Sequence, residues 1–158
     1  MDTTRHFRIR TAAFAAAALV TSLASVAQAQ GGPQLRVTAI ANQGALKVGL
    51  NTFRVNVQNS SHSIPATGQV KVRLEVLDPE QMKTEYTVTI NGVPPGQDTY
   101  QPAWFRTVTL PKAGAYTITA IVDPDKQFAP VYPNDSNRRT EVFTVAGAQA
   151  QGSFRLIV

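Results

Sequence analysis

The sequence predicts an all-β chain, an immunoglobulin-like antiparallel β-sandwich of about seven strands with a candidate eighth strand at its C-terminal edge. Three observations carry this. Apolar and polar residues alternate at period two through most of residues 35–145. Side chains along a strand point to opposite faces in turn, so each such run offers one face to a core and one to water. Turn-forming clusters separate the runs, and no helical periodicity follows residue 30. Short strands spaced by turns pack as two sheets face to face.

The first 29 residues stand apart from that pattern. Arg5, Arg8 and Arg10 precede the apolar segment TAAFAAAALVTSLASVA, which closes on Ala27-Gln28-Ala29. A positive start, a short apolar run and a small-residue cleavage site describe a signal peptide rather than a membrane span. No cysteine follows the site and no twin-arginine pair precedes it, so lipid attachment is excluded and export in the unfolded state is expected. The mature chain is expected to start at Gln30, in the periplasm or outside the cell, with residues 30–34 as a flexible lead-in and no transmembrane segment.

The strands follow in order. Leu35, Val37 and Ala39 alternate with Arg36 and Thr38, and Phe53, Val55 and Val57 with Arg54 and Asn56. The clearest run is VKVRLEV, with Val70, Val72, Leu74 and Val76 expected inward. Tyr86, Val88 and Ile90 form a fourth. AWFRTVTL forms a fifth, in which Trp104 shares parity with Val108 and Leu110 and is expected in the core. Tyr116, Ile118, Ala120 and Val122 share one face of the sixth, and Phe143 and Val145 point inward from a seventh, TEVFTV. Residues 146–158 read as a small polar linker followed by SFRLIV. That apolar end is either an eighth strand of this sheet or a strand lent to a partner.

Composition narrows the function. Of 15 basic and 10 acidic residues the leader holds three and one. The mature excess of positive charge is therefore mild, its basic residues are scattered singly, and nucleic acid is not an expected partner. The chain has no cysteine, which removes thiol chemistry and disulfides. The mature chain's one histidine, His62, lies among Ser60, Ser61 and Ser63, but a nucleophile and base need a positioned acid across a pocket, which sequence neighbours rarely supply. Glu75, Glu80, Glu85 and Asp98 fall on outward or turn positions with nothing to raise a pKa. No enzyme and no cofactor are expected.

Two kinds of residue remain as binding candidates. Phe128 and Tyr132 lie in a loop stiffened by Pro130 and Pro133, and Tyr100 lies in DTYQPAWFR beside Trp104 and Phe105. Flat aromatics with one wet edge suit stacking on sugars or protein surfaces. Asp123, Asp125 and Asp135 are spaced as calcium ligands could be, but they are too few for six to eight oxygens and Arg138 and Arg139 follow them.

From Leu35 to Val145 the chain resembles the bacterial cell-adhesion-related domain known as CARDB and its APHP relatives. LRVTAIAN resembles the opening strand of that family, and NTFRVNVQNSSHSIPATGQVKVRLEV its segment in which a strand ends in V-x-N-x-G. TVTLPKAGAYTITAIVDPD is similar to G-x-Y-x-V-x-A-x-V-D-P-x, with Gly114, Tyr116, Ala120, Asp123 and Pro124 in register, and NDSNRR stands where the family has E-S-N-E-x-N-N. The family has Glu where this chain has Tyr132, and Asn where it has Arg138. The resemblance implies an immunoglobulin-like sandwich with no catalytic residues, found on bacterial surface proteins and acting in adhesion or assembly; it names no ligand, and a protein or envelope glycan is the expected partner. A carbohydrate-binding module using Phe128, Tyr132 and Tyr100, and an assembly component that donates its last strand, are the alternatives.

Overall fold

A computed structural model describes residues 32–96, 98–128 and 136–147. The leader, Tyr132, Asp135 and the segment 153–158 therefore lie outside the described residues. The described residues form seven strands: β1 (Leu35–Asn42), β2 (Gly49–Asn59), β3 (Ala66–Leu77), β4 (Lys83–Val93), β5 (Gln101–Leu110), β6 (Gly114–Val122) and β7 (Arg138–Val145). They form a three-stranded sheet ordered β1-β2-β5 and a four-stranded sheet ordered β4-β3-β6-β7, all pairs antiparallel. Among the described residues no helix is long and apolar enough to cross a membrane.

The period-two runs place the core where alternation predicts it in β2, β3 and β6. Phe53, Val55 and Val57 meet Val70, Val72 and Leu74 and the column Tyr116, Ile118, Ala120 and Val122, all fully buried. Phe53 also packs edge-on against Phe143 with ring centroids 5.3 Å apart, which joins β2 of one sheet to β7 of the other. Tyr86 and Val88 are only half-buried, because β4 is the outer strand of the wider sheet.

Two strands depart from strict alternation, and both departures are bulges. In β1 the register with β2 shifts between Val37 and Ala39, so Ile40 takes the inward place expected of Ala39. In β5 the register shifts where Asn51 pairs with Val108 and Phe53 with Phe105. A bulge sets two residues against one and reverses the parity beyond it. Ala103 and Phe105 are therefore buried alongside Val108 and Leu110, and Trp104 points outward, 37% exposed. The expectation that Trp104 fills the core is corrected: the extra residue at Arg106-Thr107 turns it to the opposite face.

One pole of the sandwich shows why GAYTITAIVDPD is spelled as it is. Tyr116 donates its hydroxyl to the carbonyl of Lys112 at 2.8 Å and accepts the N–H of Lys112 at 3.1 Å, a tyrosine corner that fixes the β5–β6 turn. Gly114 has φ 132°, and a Cβ there would meet Pro79 Cγ at 2.6 Å, so only glycine fits between the two turns. In the β3–β4 turn Asp78 accepts the N–H groups of Glu80 and Met82, both at 2.8 Å, and meets Lys112 Nζ at 3.1 Å. The Met82 N–H holds the Asp78 carboxyl below its usual value, with Lys112 and the Glu80 N–H adding to it and partial burial opposing it. A lowered folded pKa stabilises the fold above the unfolded value, and that contribution disappears as pH falls through the folded one. Urea midpoints of the wild type are expected to fall between about pH 5 and about pH 3, and to fall less steeply in Asp78→Asn. Parallel slopes for the two proteins would rule this contribution out.

Candidate binding face

The outer face of the three-stranded sheet is built from the outward side chains of β2, flanked by β1 and β5. Arg54 on β2 stands directly across from Trp104 on β5, and its guanidinium lies over the indole, 5.9 Å from the ring centroid. Further along, Arg36 of β1 pairs with Gln58 and donates from Nε to its Oε1 at 2.6 Å. Tyr100, just before β5, is 52% exposed. Arg54 Nε and Asn56 Oδ1, two residues apart on the central strand, are shielded from water with no hydrogen-bond partner, as is Arg73 Nε on the other sheet. Buried polar atoms in native proteins are nearly always paired, so this pair marks the middle of the face as chemically incomplete.

The charge on this face is also one-sided. β1, β2 and β5 carry Arg36, Arg54 and Arg106 and no acidic residue. None of the three arginines has a carboxylate partner among the described residues. The four-stranded sheet also carries a positive surplus, with Lys71, Arg73, Lys83, Arg138 and Arg139 against Glu75, Glu85 and Glu141, but there each acid is paired. Glu75 and Glu85 face each other across β3 and β4, and Arg73 and Lys83 bridge them. Lys83 lowers the Glu85 pKa and its own is raised, first by Glu85 and then by Glu75, as expected of a compensated cluster.

The residues singled out from sequence divide differently. Phe128 is half-buried and packs against the core rather than standing out from its loop, whereas Tyr100 is displayed. Asp123, at φ 50° and 2% exposed, accepts the N–H groups of Gln127 and Phe128 at 2.7 and 3.0 Å and so organises the start of the loop. Asp125 bonds Lys71 Nζ at 2.6 Å. Among the described residues no group of three or more His, Cys, Asp or Glu side chains comes together as metal ligands. His62 lies in an open depression with Ser60, Ser61 and Ser63, where the Ser61 hydroxyl donates to the Ile64 carbonyl at 2.6 Å. Glu80 meets Lys112 at 2.8 Å, and Asp98 is exposed.

The fold is a seven-stranded β-sandwich similar to that of solved CARDB domains. The solved CARDB domain of the PF1109 protein from Pyrococcus furiosus, a crystal structure in complex with di-metal ions, is 24% identical with a TM-score of 0.51, over 73% of this chain and 90% of that one. A solution structure of the same domain is 22% identical with a TM-score of 0.50, over 73% and 97%. Residues 272–376 of a protein from Methanosarcina acetivorans, named as a candidate cell surface protein, are 18% identical with a TM-score of 0.57, over 72% and 92%. At these identities the likeness is one of fold. No protein-family model matches the sequence, and comparison with curated proteins finds no match.

Proposed function

We propose that this chain is exported and acts without catalysis, as a domain that docks onto another component of the cell envelope. The observation that carries this reading is the Trp104–Arg54 pair. Trp104 stands 37% exposed with the half-buried Arg54 guanidinium over its ring, and these are the residue types that dominate binding energy at interfaces. The described serines and carboxylates nearest to catalytic types support it too, since Ser61, Asp78 and Asp123 are spent on backbone hydrogen bonds. The reading extends the adhesion or assembly role that the CARDB resemblance implies.

Labelled mature protein mixed with sedimented envelopes of its own host tests it. Saturable retention that drops roughly tenfold in Trp104→Ala is expected, in line with the loss of a central aromatic anchor. Retention that does not saturate, or that Trp104→Ala leaves unchanged, would overturn it. Mass spectrometry of protein recovered from the host should find Gln30 as the first residue, and a persisting leader would count against export.

A further inference from the structure

We infer that the outer face of the three-stranded sheet binds an anionic polysaccharide, one bearing uronate or sulfate groups, with Trp104 and Tyr100 against sugar rings and Arg54 and Arg36 on the acidic groups. This rests on the envelope-binding reading above and names the chemistry of the partner.

Charge complementarity carries it. Three arginines without a carboxylate share one sheet, while the acids of the other sheet are matched by Lys and Arg. An unbalanced set of guanidiniums attracts anions, and the fork of each is suited to carboxylate or sulfate oxygens. Stacking on Trp104 holds Arg54 beside the ring, so one ligand unit can meet an apolar face and a fixed positive charge together. Arg54 and Gln58, which fixes Arg36, are four residues apart on one strand. That is a span on the order of 13 Å, which suits an extended chain with repeated charges. The unpartnered pair favours a sugar over a plain anion. Arg54 Nε needs an acceptor and Asn56 Oδ1 needs a donor, and hydroxyl groups supply both once small side-chain movements admit them. A polypeptide rich in Asp or Glu would supply the charge, but not a row of donors beside each carboxylate.

Affinity electrophoresis of the mature protein through gels containing polygalacturonate, xylan, poly-glutamate or single-stranded DNA decides the matter. Retardation by polygalacturonate alone is expected, weakening as salt rises. Trp104→Ala and Arg54→Gln should each weaken it roughly tenfold, while Trp104→Phe keeps most of it and Arg73→Gln on the opposite sheet leaves it unchanged. All three side chains are at least partly exposed, and circular dichroism of each variant confirms the fold. Equal retardation by xylan would overturn the role of charge. Equal or stronger binding to poly-glutamate or DNA would assign the face to another class of partner. Envelope retention without binding to any of the four polymers would overturn this inference and leave the docking reading standing. Loss of both would remove the docking reading as well.

Discussion

Replacing Tyr116 with Ala is expected to lower the stability of the mature chain by about 4 kcal/mol, a large share of what a domain of this size possesses. Two losses combine. Among the described residues the ring is the largest fully buried side chain, so its removal leaves a cavity between two sheets that can collapse only partly. The hydroxyl holds both the N–H and the carbonyl of Lys112, and Lys112 in turn reaches Asp78 and Glu80 across the pole. Tyr116→Phe separates the two. It keeps the packing and strands the Lys112 backbone groups, at a cost of about 1–2 kcal/mol, tempered where water can reach them. Urea titration reads both, and a 4 kcal/mol loss moves the midpoint by roughly 2 M for a typical dependence on denaturant. Equal losses in the two variants would show that packing contributes little. A harmless Tyr116→Phe would show that the corner does not fix the turn.

How far the fold was legible depended on whether alternation ran unbroken. VKVRLEV keeps strict period two from end to end and its inward residues are the buried ones, whereas AYTITAIV alternates only as far as Ile118, beyond which Thr119 and Ile121 are buried along with the inward residues. β1 and β5 break the alternation at one point each, because a bulge inserts a residue without altering composition. A signal was present: Val37 and Ile40, like Phe105 and Val108, are apolar residues three apart with two others between them, where a regular strand would have one. Given that spacing, Trp104 could have been assigned to the outer face. The binding face itself needed more than spacing. Its charge imbalance exists only because β1, β2 and β5 share a sheet, and β5 joins that sheet from far along the chain. Loop residues were the hardest, since a proline-flanked Phe128 reads as displayed until the core beneath it is known. The motif GAYTITAIVDPD was recognisable as a string, but its physical reasons lie in Pro79 and Lys112, which no local pattern links to it.

Asn59 shows the same gap between letter and role, and its substitution should rank with that of Tyr116. Within VQNSS it reads as a turn residue. In the structure it is fully buried and uses its amide in both senses. Its Oδ1 accepts the N–H of Gln34 at 2.9 Å and of Ser61 at 3.2 Å, while Nδ2 donates to the carbonyls of Ile64 at 2.7 Å and Val93 at 3.3 Å. The lead-in to β1, the β2–β3 loop and the end of β4 are thereby tied to one side chain. Asn59→Leu keeps the branched outline but is bulkier and strands up to four backbone groups, so a loss of about 3 kcal/mol or more is expected, with faster hydrogen exchange in residues 60–65. Asn59→Asp is the sharper test. It preserves the accepting oxygen but sets a buried carboxylate against two carbonyls, which raises the carboxyl pKa above its ordinary value. An acid whose folded pKa is raised destabilises the fold above the unfolded value and recovers as pH falls and a proton turns it into a donor. The Asp variant should therefore be closer to wild type near pH 4 than near pH 7, whereas Asn59→Leu should show no such recovery. If both variants track wild type at every pH, Asn59 is a turn residue after all, and the three segments are held by their strands alone.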